Sequence, residues 1–175
     1  MKTLTNPNDK LELLRRLRGI GPGSQRRWGK MTAGEMVCHL SDALRVGLGE
    51  RQAKPVWDWF SRSLFKWAAL SVPITWPQGV KTVPECEAGV RGTPPEEIEG
   101  DLNELRELLD RFTRQPRSFE LQMHPIFGPL TEKEWMRWGY LHITIICGSL
   151  AREPIVRTDP THAQTARMNG APGRL

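Results

Sequence analysis

Apolar residues recur at helical spacing in several separate stretches of this 175-residue chain. The first predicted helix is an amphipathic segment from Leu11 to Leu17 with four leucines at helical spacing, Leu11, Leu13, Leu14 and Leu17. A second candidate, rich in Trp and Phe, runs from Val56 to Leu70. No alternating run or hairpin signature of comparable strength accompanies them. The pattern therefore predicts an all-α protein.

Three capping boxes, each a Thr followed three residues later by Glu, mark further helix starts. They begin at Thr32, Thr93 and Thr131. The first of these helices is predicted to end near Leu48, before Gly49. The second has proline near its first position and is predicted to end near Thr113. Together with the leucine-rich segment, these starts predict a bundle of four or five antiparallel helices.

Two long connections rich in Pro and Gly separate the predicted helices, from Ser71 to Pro95 and from Pro116 to Leu130. Loops of this length in a compact domain usually pack over a site or over one end of the fold. We therefore predict a bundle with long crossover loops over residues 1–150. Residues 151–175 have the composition of a disordered tail.

Composition limits where such a protein would work. The chain is 38% hydrophobic, which is enough for one sizeable core. Its longest apolar stretch, from Trp67 to Trp76, is too short and too interrupted by proline to cross a membrane. An odd count of three cysteines without a signal sequence favours a reducing cytoplasm. We expect a cytoplasmic protein with no membrane partner.

The net charge of +5 raises the question of nucleic-acid binding. The basic residues, however, are scattered among acids, as where Arg15, Arg16 and Arg18 follow Asp9 and Glu12. No basic stripe is interleaved with aromatic residues that could stack on bases. A solvated surface is the simpler interpretation, and we expect no nucleic-acid partner.

Two histidines carry the clearest candidate chemistry. His39 lies inside the helix that opens at Thr32, and Met36 and Ala43 share its face. His142 lies in the last helix, one turn after Trp138. Facing histidines on separate helices build metal sites in bundle cores. A lone histidine on an apolar helix face is nevertheless more often a satisfied core residue, so spacing alone leaves both interpretations open.

The residues around His39 suggest supporting roles. Glu35 and Asp42 lie one turn to either side of it, so each is a candidate to accept the second imidazole N–H or to act as a general base. Cys38 points to another side of the helix, and we interpret it as a buried structural thiol. Trp135, Trp138 and Met36 are candidates to line a pocket, although an ordinary core position is the more common role for such residues.

A catalytic zinc centre needs three protein ligands and one open position. The third ligand is expected one helical turn after His142, because side chains four residues apart point the same way. That position is Ile146. Of the remaining histidines, His124 precedes a proline in a predicted loop and His162 lies in the tail.

Four blocks of sequence resemble the DinB-like superfamily, and within it a subfamily known only as a domain of unknown function. The blocks occur in order within residues 8–143 and cover Arg26–Glu50, Pro73–Glu85, Gly92–Leu105 and His124–Ile143. The resemblance implies a four-helix bundle that holds zinc or nickel through one histidine of the second helix and an H-x-x-x-H pair of the last. His39 and His142 match the first two ligands.

The resemblance also implies the chemistry and the partners. DinB-like relatives transfer or isomerise groups with low-molecular-weight thiols, or are taken to be hydrolases, and they are often dimers. For this chain we therefore expect a small-molecule substrate or thiol, a divalent metal that is bound weakly, and a homodimer. The rival hypothesis is a non-catalytic binding or dimerisation bundle in which Trp57, Trp59 and Trp67 cover a partner.

The genetic code offers an account of the missing ligand. After His142-Ile143 the family continues with a motif such as Asp-His-His-Leu-Arg-Gln-Phe-Gly, whereas here the chain reads Thr144 to Ala151. The codons ACC ATC ATC TGC GGC AGT TTG GCG encode the observed residues. One G placed before them gives GAC CAT CAT CTG CGG CAG TTT GGC, which encodes the family motif. The hypothesis is a one-base deletion near codon 144 with an out-of-frame tail, and its alternative is a genuinely divergent C-terminus.

Overall fold

The computed structural model describes residues 1–56, 66–72, 76, 78–79 and 81–150. Within these ranges it contains four long helices: α1 (Pro7–Arg18), α2 (Ala33–Leu48), α3 (Ile98–Thr113) and α4 (Glu132–Cys147). Residues 66–71 are also helical, and Pro84–Cys86 form a short 3-10 turn. The described part holds isolated β-bridges but no strand. The all-α prediction is confirmed.

Several predictions concern residues outside the described ranges. They include most of the candidate helix from Val56 to Leu70, of which residues 66–71 are described and helical. Trp57, Trp59, His162 and the whole of the 151–175 tail also lie outside the described residues. In the described part of the chain, no helix has the length and apolarity needed to span a membrane.

Two of the three predicted capping boxes start helices. Thr32 caps α2 and Thr131 caps α4, and both halves of each box are formed with Glu35 and Glu134. Helix α2 then ends as predicted at Gly49, whose φ of +81° places it in the left-handed region that favours glycine. Local sequence chemistry thus fixes the ends of the helix that carries His39.

The prediction that Thr93 starts a helix is wrong. Helix α3 begins at Ile98, where the Glu97 side chain caps the backbone N–H groups of Glu99 and Gly100. Two successive prolines follow Thr93, and a residue before proline is driven out of helical conformation. The Thr93 hydroxyl instead donates to Asp42 on α2. The Thr-Pro-Pro-Glu segment therefore belongs to the crossover, not to the helix.

The core forms where α2 packs against α3 and α4. Their largest fully buried side chains include Leu40 and Leu44 of α2, Phe112 of α3 and Trp135 of α4. Gly47 makes the close approach possible, because a Cβ there would lie 2.7 Å from the Phe112 ring and 3.3 Å from Trp135. Helix α1 completes the bundle against α4. This packing holds α2 and α4 side by side.

Helix α4 ends at Cys147, three residues after Thr144, where the chain departs from the motif that the resemblance implies. The chain then turns so that the Ser149 carbonyl accepts the Arg27 N–H at 2.7 Å. Cys147 and Leu150 are buried there, at 9% and 3% exposure, in the place where the resemblance would put larger apolar side chains. The segment around Arg27 therefore covers this end of the bundle.

Candidate functional site

The structure brings His39 of α2 and His142 of α4 into direct contact. Their Nε2 atoms are 3.0 Å apart, and the two rings meet edge to face at 79°. His39 is 7% exposed. His142 is partly exposed towards a cavity that both residues line. Side-by-side packing of α2 and α4 is what joins residues 103 positions apart in sequence.

The hydrogen bonds of His39 define its protonation. Its Nδ1 lies 3.0 Å from the carbonyl oxygen of Cys86, in the 3-10 turn. A carbonyl can only accept, so Nδ1 carries the proton and Nε2 of the neutral ring presents a lone pair. His142 must then donate its Nε2–H to that lone pair. A histidine whose distal N–H is held by a carbonyl is the arrangement that orients metal-ligating imidazoles in proteins.

Glu35 and Asp42 do not serve His39 as expected. The Glu35 carboxylate accepts the N–H and hydroxyl of Thr32 in the capping box. The Asp42 carboxylate accepts from Thr93 and forms ion pairs with Arg45 and Arg51. The prediction that one of them holds the imidazole N–H is wrong, because the Cys86 carbonyl occupies that place.

Burial keeps all three imidazoles around the cavity neutral. It lowers the pKa of His39, against the opposing effects of the Cys86 carbonyl and the Asp42 charge. The pKa of His142 falls well below its usual value because of burial and, secondarily, the neighbouring His39 and His124. Burial also lowers the pKa of His124 to about 3. The ring nitrogens are therefore available as lone-pair or N–H groups at neutral pH.

The cavity beside the histidine pair has a volume of about 1070 Å³. Among the described residues, helices α2 and α4, residues 28–31 and 68–69 and the two crossovers form its walls. The tryptophan and phenylalanine side chains of this described lining are Trp28, Trp76, Phe127 and Trp138. Of the predicted pocket residues, Trp138 lines the cavity, whereas Trp135 and Met36 are fully buried in the core and do not. The described parts of both crossovers thus line a cavity.

His124 is the site residue that sequence reasoning undervalued. It is 4% exposed, lines the cavity, and packs against Trp135 and Trp138 with ring centroids 5.2 and 4.9 Å away. The backbone of His124 exchanges two hydrogen bonds with Gly128, which closes a tight loop. The signal was the Pro and Gly that follow this histidine, because they mark an ordered turn as readily as a flexible loop.

The residues present fit only part of a metal centre. Two nitrogens bound to one tetrahedral zinc are separated by roughly 3.3 Å, so the 3.0 Å spacing of the His39 and His142 Nε2 atoms suits adjacent ligands. Ile146 lines the same cavity one turn further along α4. Among the described residues, no three His, Cys, Asp or Glu side chains are placed to hold a metal ion together.

Neither Cys38 nor Cys86 is activated as a nucleophile in the metal-free protein. Cys38 is buried, and burial raises the pKa of its thiol to about 12. Cys86 lines the cavity, and burial raises the pKa of that thiol to about 12 as well. A thiol that stays protonated at neutral pH is a poor nucleophile.

Compared with family models, with curated proteins and with solved structures, the chain gives no match.

Proposed function

We propose that this protein is a DinB-like metalloenzyme, of the thiol-dependent transferase or hydrolase type, whose metal centre is reduced to two histidines. One observation carries the proposal: the His39 and His142 Nε2 atoms converge at 3.0 Å, and Ile146 lines the same cavity where the third ligand is expected. The cavity beside them is the proposed site for a small-molecule substrate or thiol.

The pair alone would bind zinc or nickel weakly, because the number and type of direct ligands decide metal affinity. A divalent metal in a complete centre lowers the pKa of a bound water or thiol and so supplies a nucleophile at neutral pH. With two histidines in place, we assign no catalytic step to this chain. The residues of this chain orient the two imidazoles: the Cys86 carbonyl accepts from His39 and fixes its ring, and His39 accepts the N–H of His142.

Restoring the third ligand tests the proposal. Ile146→His should bind zinc or nickel at least about 100-fold more tightly than the unaltered chain, since even outer-shell partners contribute 10–100-fold in metal affinity. Isothermal titration of the purified proteins measures this. Ile146→Gln is the matched control for a polar side chain that does not ligate, and Ile146→His with His39→Ala should lose the gain. Equal affinity of the Ile146→His and Ile146→Gln proteins would overturn the proposal.

Sequencing codons 140 to 155 from the source DNA tests why the ligand is missing. An extra base near codon 144 would restore the Asp-His-His reading and make the three-histidine protein the natural one. An unchanged reading frame would show a genuinely divergent C-terminus. Metal titration of the unaltered 175-residue chain does not depend on this result.

A second candidate function is a non-catalytic bundle that dimerises or binds another protein. One observation favours it: Trp67 is 58% exposed, and so is Val56, whose N–H donates to the Pro125 carbonyl. A contiguous apolar patch at the surface marks a protein interface, and Trp67 is the largest exposed apolar side chain among the described residues that such a patch could include. Light scattering on the unaltered chain and on Trp67→Ser tests this, because a dimer that uses this surface should dissociate in the variant.

A further inference from the structure

Three imidazoles of the described residues line the cavity, and the histidine pair accounts for two of them. His124 is the third, and it belongs to neither helix of the pair. Neighbouring aromatic rings hold the imidazole of His124 in place, since the ring centroids of Phe127 and Trp138 are 4.8 and 4.9 Å from its own. The tautomer of this imidazole determines which group it presents to the cavity.

Backbone hydrogen bonds decide the tautomer of His124. Its Nδ1 accepts the N–H of Ile126 at 3.0 Å and the N–H of Phe127 at 3.1 Å. A nitrogen that accepts must hold a lone pair, so the proton of the neutral ring lies on Nε2. Turning the ring over would break both bonds, and the surrounding aromatic rings oppose it. His124 is therefore a fixed N–H donor.

The Nε2–H of His124 has no acceptor within the described part of the chain. In this part of the chain, the buried side-chain nitrogen and oxygen atoms without a hydrogen-bond partner belong to Glu85, Arg106, Arg117 and Thr144. The Nε2 atom of His124 is not among these buried atoms. Because His124 lines the cavity, its Nε2–H group is accessible to a ligand there. An N–H in so apolar a place gains most from an acceptor that a ligand brings.

The lining of the cavity limits what that ligand is. Among the described residues that line the cavity, the charged Lys30, Lys81 and Glu87 are exposed, and the carboxylate of Glu35 is held by Thr32. Apart from the imidazoles, the side chains around His124 and the histidine pair in this part of the lining are mainly aromatic and aliphatic. A charged group placed there would lose its hydration without gaining an opposite charge.

We infer that His124 is a binding residue for the ligand of this cavity, and that the ligand is an uncharged, mainly apolar molecule carrying one oxygen or nitrogen acceptor for the Nε2–H of His124. The inference rests on the proposed function in one respect, that this cavity is the substrate site. Of the two ligands named in the proposed function, it assigns this cavity to the substrate and not to the low-molecular-weight thiol, since such thiols are polar and charged.

Two probes and two variants test it. Propionyl-dimethylaminonaphthalene is neutral, apolar and fluorescent, and it carries a carbonyl acceptor, whereas propyl-dimethylaminonaphthalene has the same ring and carbon chain with a CH2 group in place of the carbonyl. His124→Asn keeps an acceptor near Nδ1 for the loop but removes the donor at Nε2. His124→Gln keeps a donor near Nε2 but loses the acceptor. Comparing these two variants distinguishes a ligand-binding role of His124 from a purely structural one.

The carbonyl probe should bind the unaltered chain about tenfold more tightly than its carbonyl-free analogue, the effect of one good hydrogen bond. His124→Asn should abolish that advantage without weakening the analogue, and His124→Gln should keep most of it. Equal affinities of the two probes for the unaltered chain, or a full advantage in His124→Asn, would overturn the inference. The comparison of the two probes on the unaltered chain needs no variant, so equal affinities would overturn the inference even if a variant fails to fold.

Glutathione, a charged thiol, serves as the competitor. It should not displace the bound probe at concentrations comparable to those of the probe, and displacement would refute an uncharged apolar ligand. All titrations are made without added metal. A positive probe result beside a failed Ile146→His titration would reject the metal centre and keep the ligand assignment, and the reverse pair of results would do the opposite.

Discussion

His39 and Asp42, two of the buried polar side chains of helix α2, lie about one turn apart and have different surroundings. Asp42 is 1% exposed, and its carboxylate is surrounded by donors from Thr93, Arg45 and Arg51. His39 has one backbone partner and one imidazole partner, and it faces a large cavity. We call Asp42, Thr93, Arg45 and Arg51 the closed cluster, because its buried carboxylate is already surrounded by donors. We call His39, His142 and His124 the open cluster, because these residues line the cavity, where a ligand would supply further hydrogen-bond partners.

The closed cluster also supports the open one. Arg51 donates to the carbonyls of Glu85 and Arg91 as well as to Thr93. It thereby ties residues 84–93 to α2, and this segment supplies the Cys86 carbonyl that fixes His39. A fully satisfied polar network positions a partly satisfied one, which is how a rigid scaffold prepares a binding site.

Removing the centre of the closed cluster should have the largest effect. Asp42→Ala leaves the two arginines without their buried counter-charge and the Thr93 N–H without an acceptor. We expect a loss of about 3–5 kcal/mol in the free energy of unfolding, measured by urea denaturation. The control is Asp110→Asn, which breaks an exposed ion pair with Lys10 and should cost at most about 1 kcal/mol. Similar losses in both variants would contradict the distinction.

Acid should weaken the open cluster by an intermediate amount. His124 has a pKa of about 3 in the folded protein, below the value near 6.5 of an unfolded histidine, because burial disfavours its charged form. The unfolded state therefore binds a proton first as the pH falls. Stability is complete above pH 6.5 and decreases below it, by about 1.4 kcal/mol per pH unit for this one group.

Between pH 6.5 and 5 the expected loss from His124 is about 2 kcal/mol. Urea denaturation at both pH values measures it, and the His124→Asn variant should show a correspondingly smaller dependence on pH. An unchanged dependence in that variant would mean that His124 does not remain neutral in the fold.

The parts of this comparison that sequence could predict are those set by local chemistry. Thr32 and Thr131 start helices because each box needs only one turn of chain, and Gly49 ends one through its own conformation. The histidines at 39 and 142 were paired by their places on predicted helices. These features depend on neighbours within a few residues, or on a resemblance that supplies the bundle order.

The features that sequence missed depend on tertiary contacts of the backbone. The partner of His39 is a carbonyl oxygen of Cys86, and a carbonyl leaves no mark in the side-chain pattern. Thr93 looks like a helix cap, but the two prolines after it and the Asp42 carboxylate give it another role. His124 acquires its donor only because its Nδ1 is occupied by its own loop.

The smallest effect is expected at His142, because water in the cavity can replace its hydrogen bond to His39. His142→Ala removes one hydrogen bond to His39, whose Nε2 can then be hydrated from the cavity, so the loss should stay under about 1 kcal/mol. Its neighbour Ile143 is 1% exposed in the core, and Ile143→Ala should cost about 2–5 kcal/mol. Thermal and urea unfolding of the two variants compare adjacent positions of one helix. A loss in His142→Ala as large as in Ile143→Ala would show that the histidine pair is a structural contact like Asp42, and the case for an available metal and ligand site would fall with it.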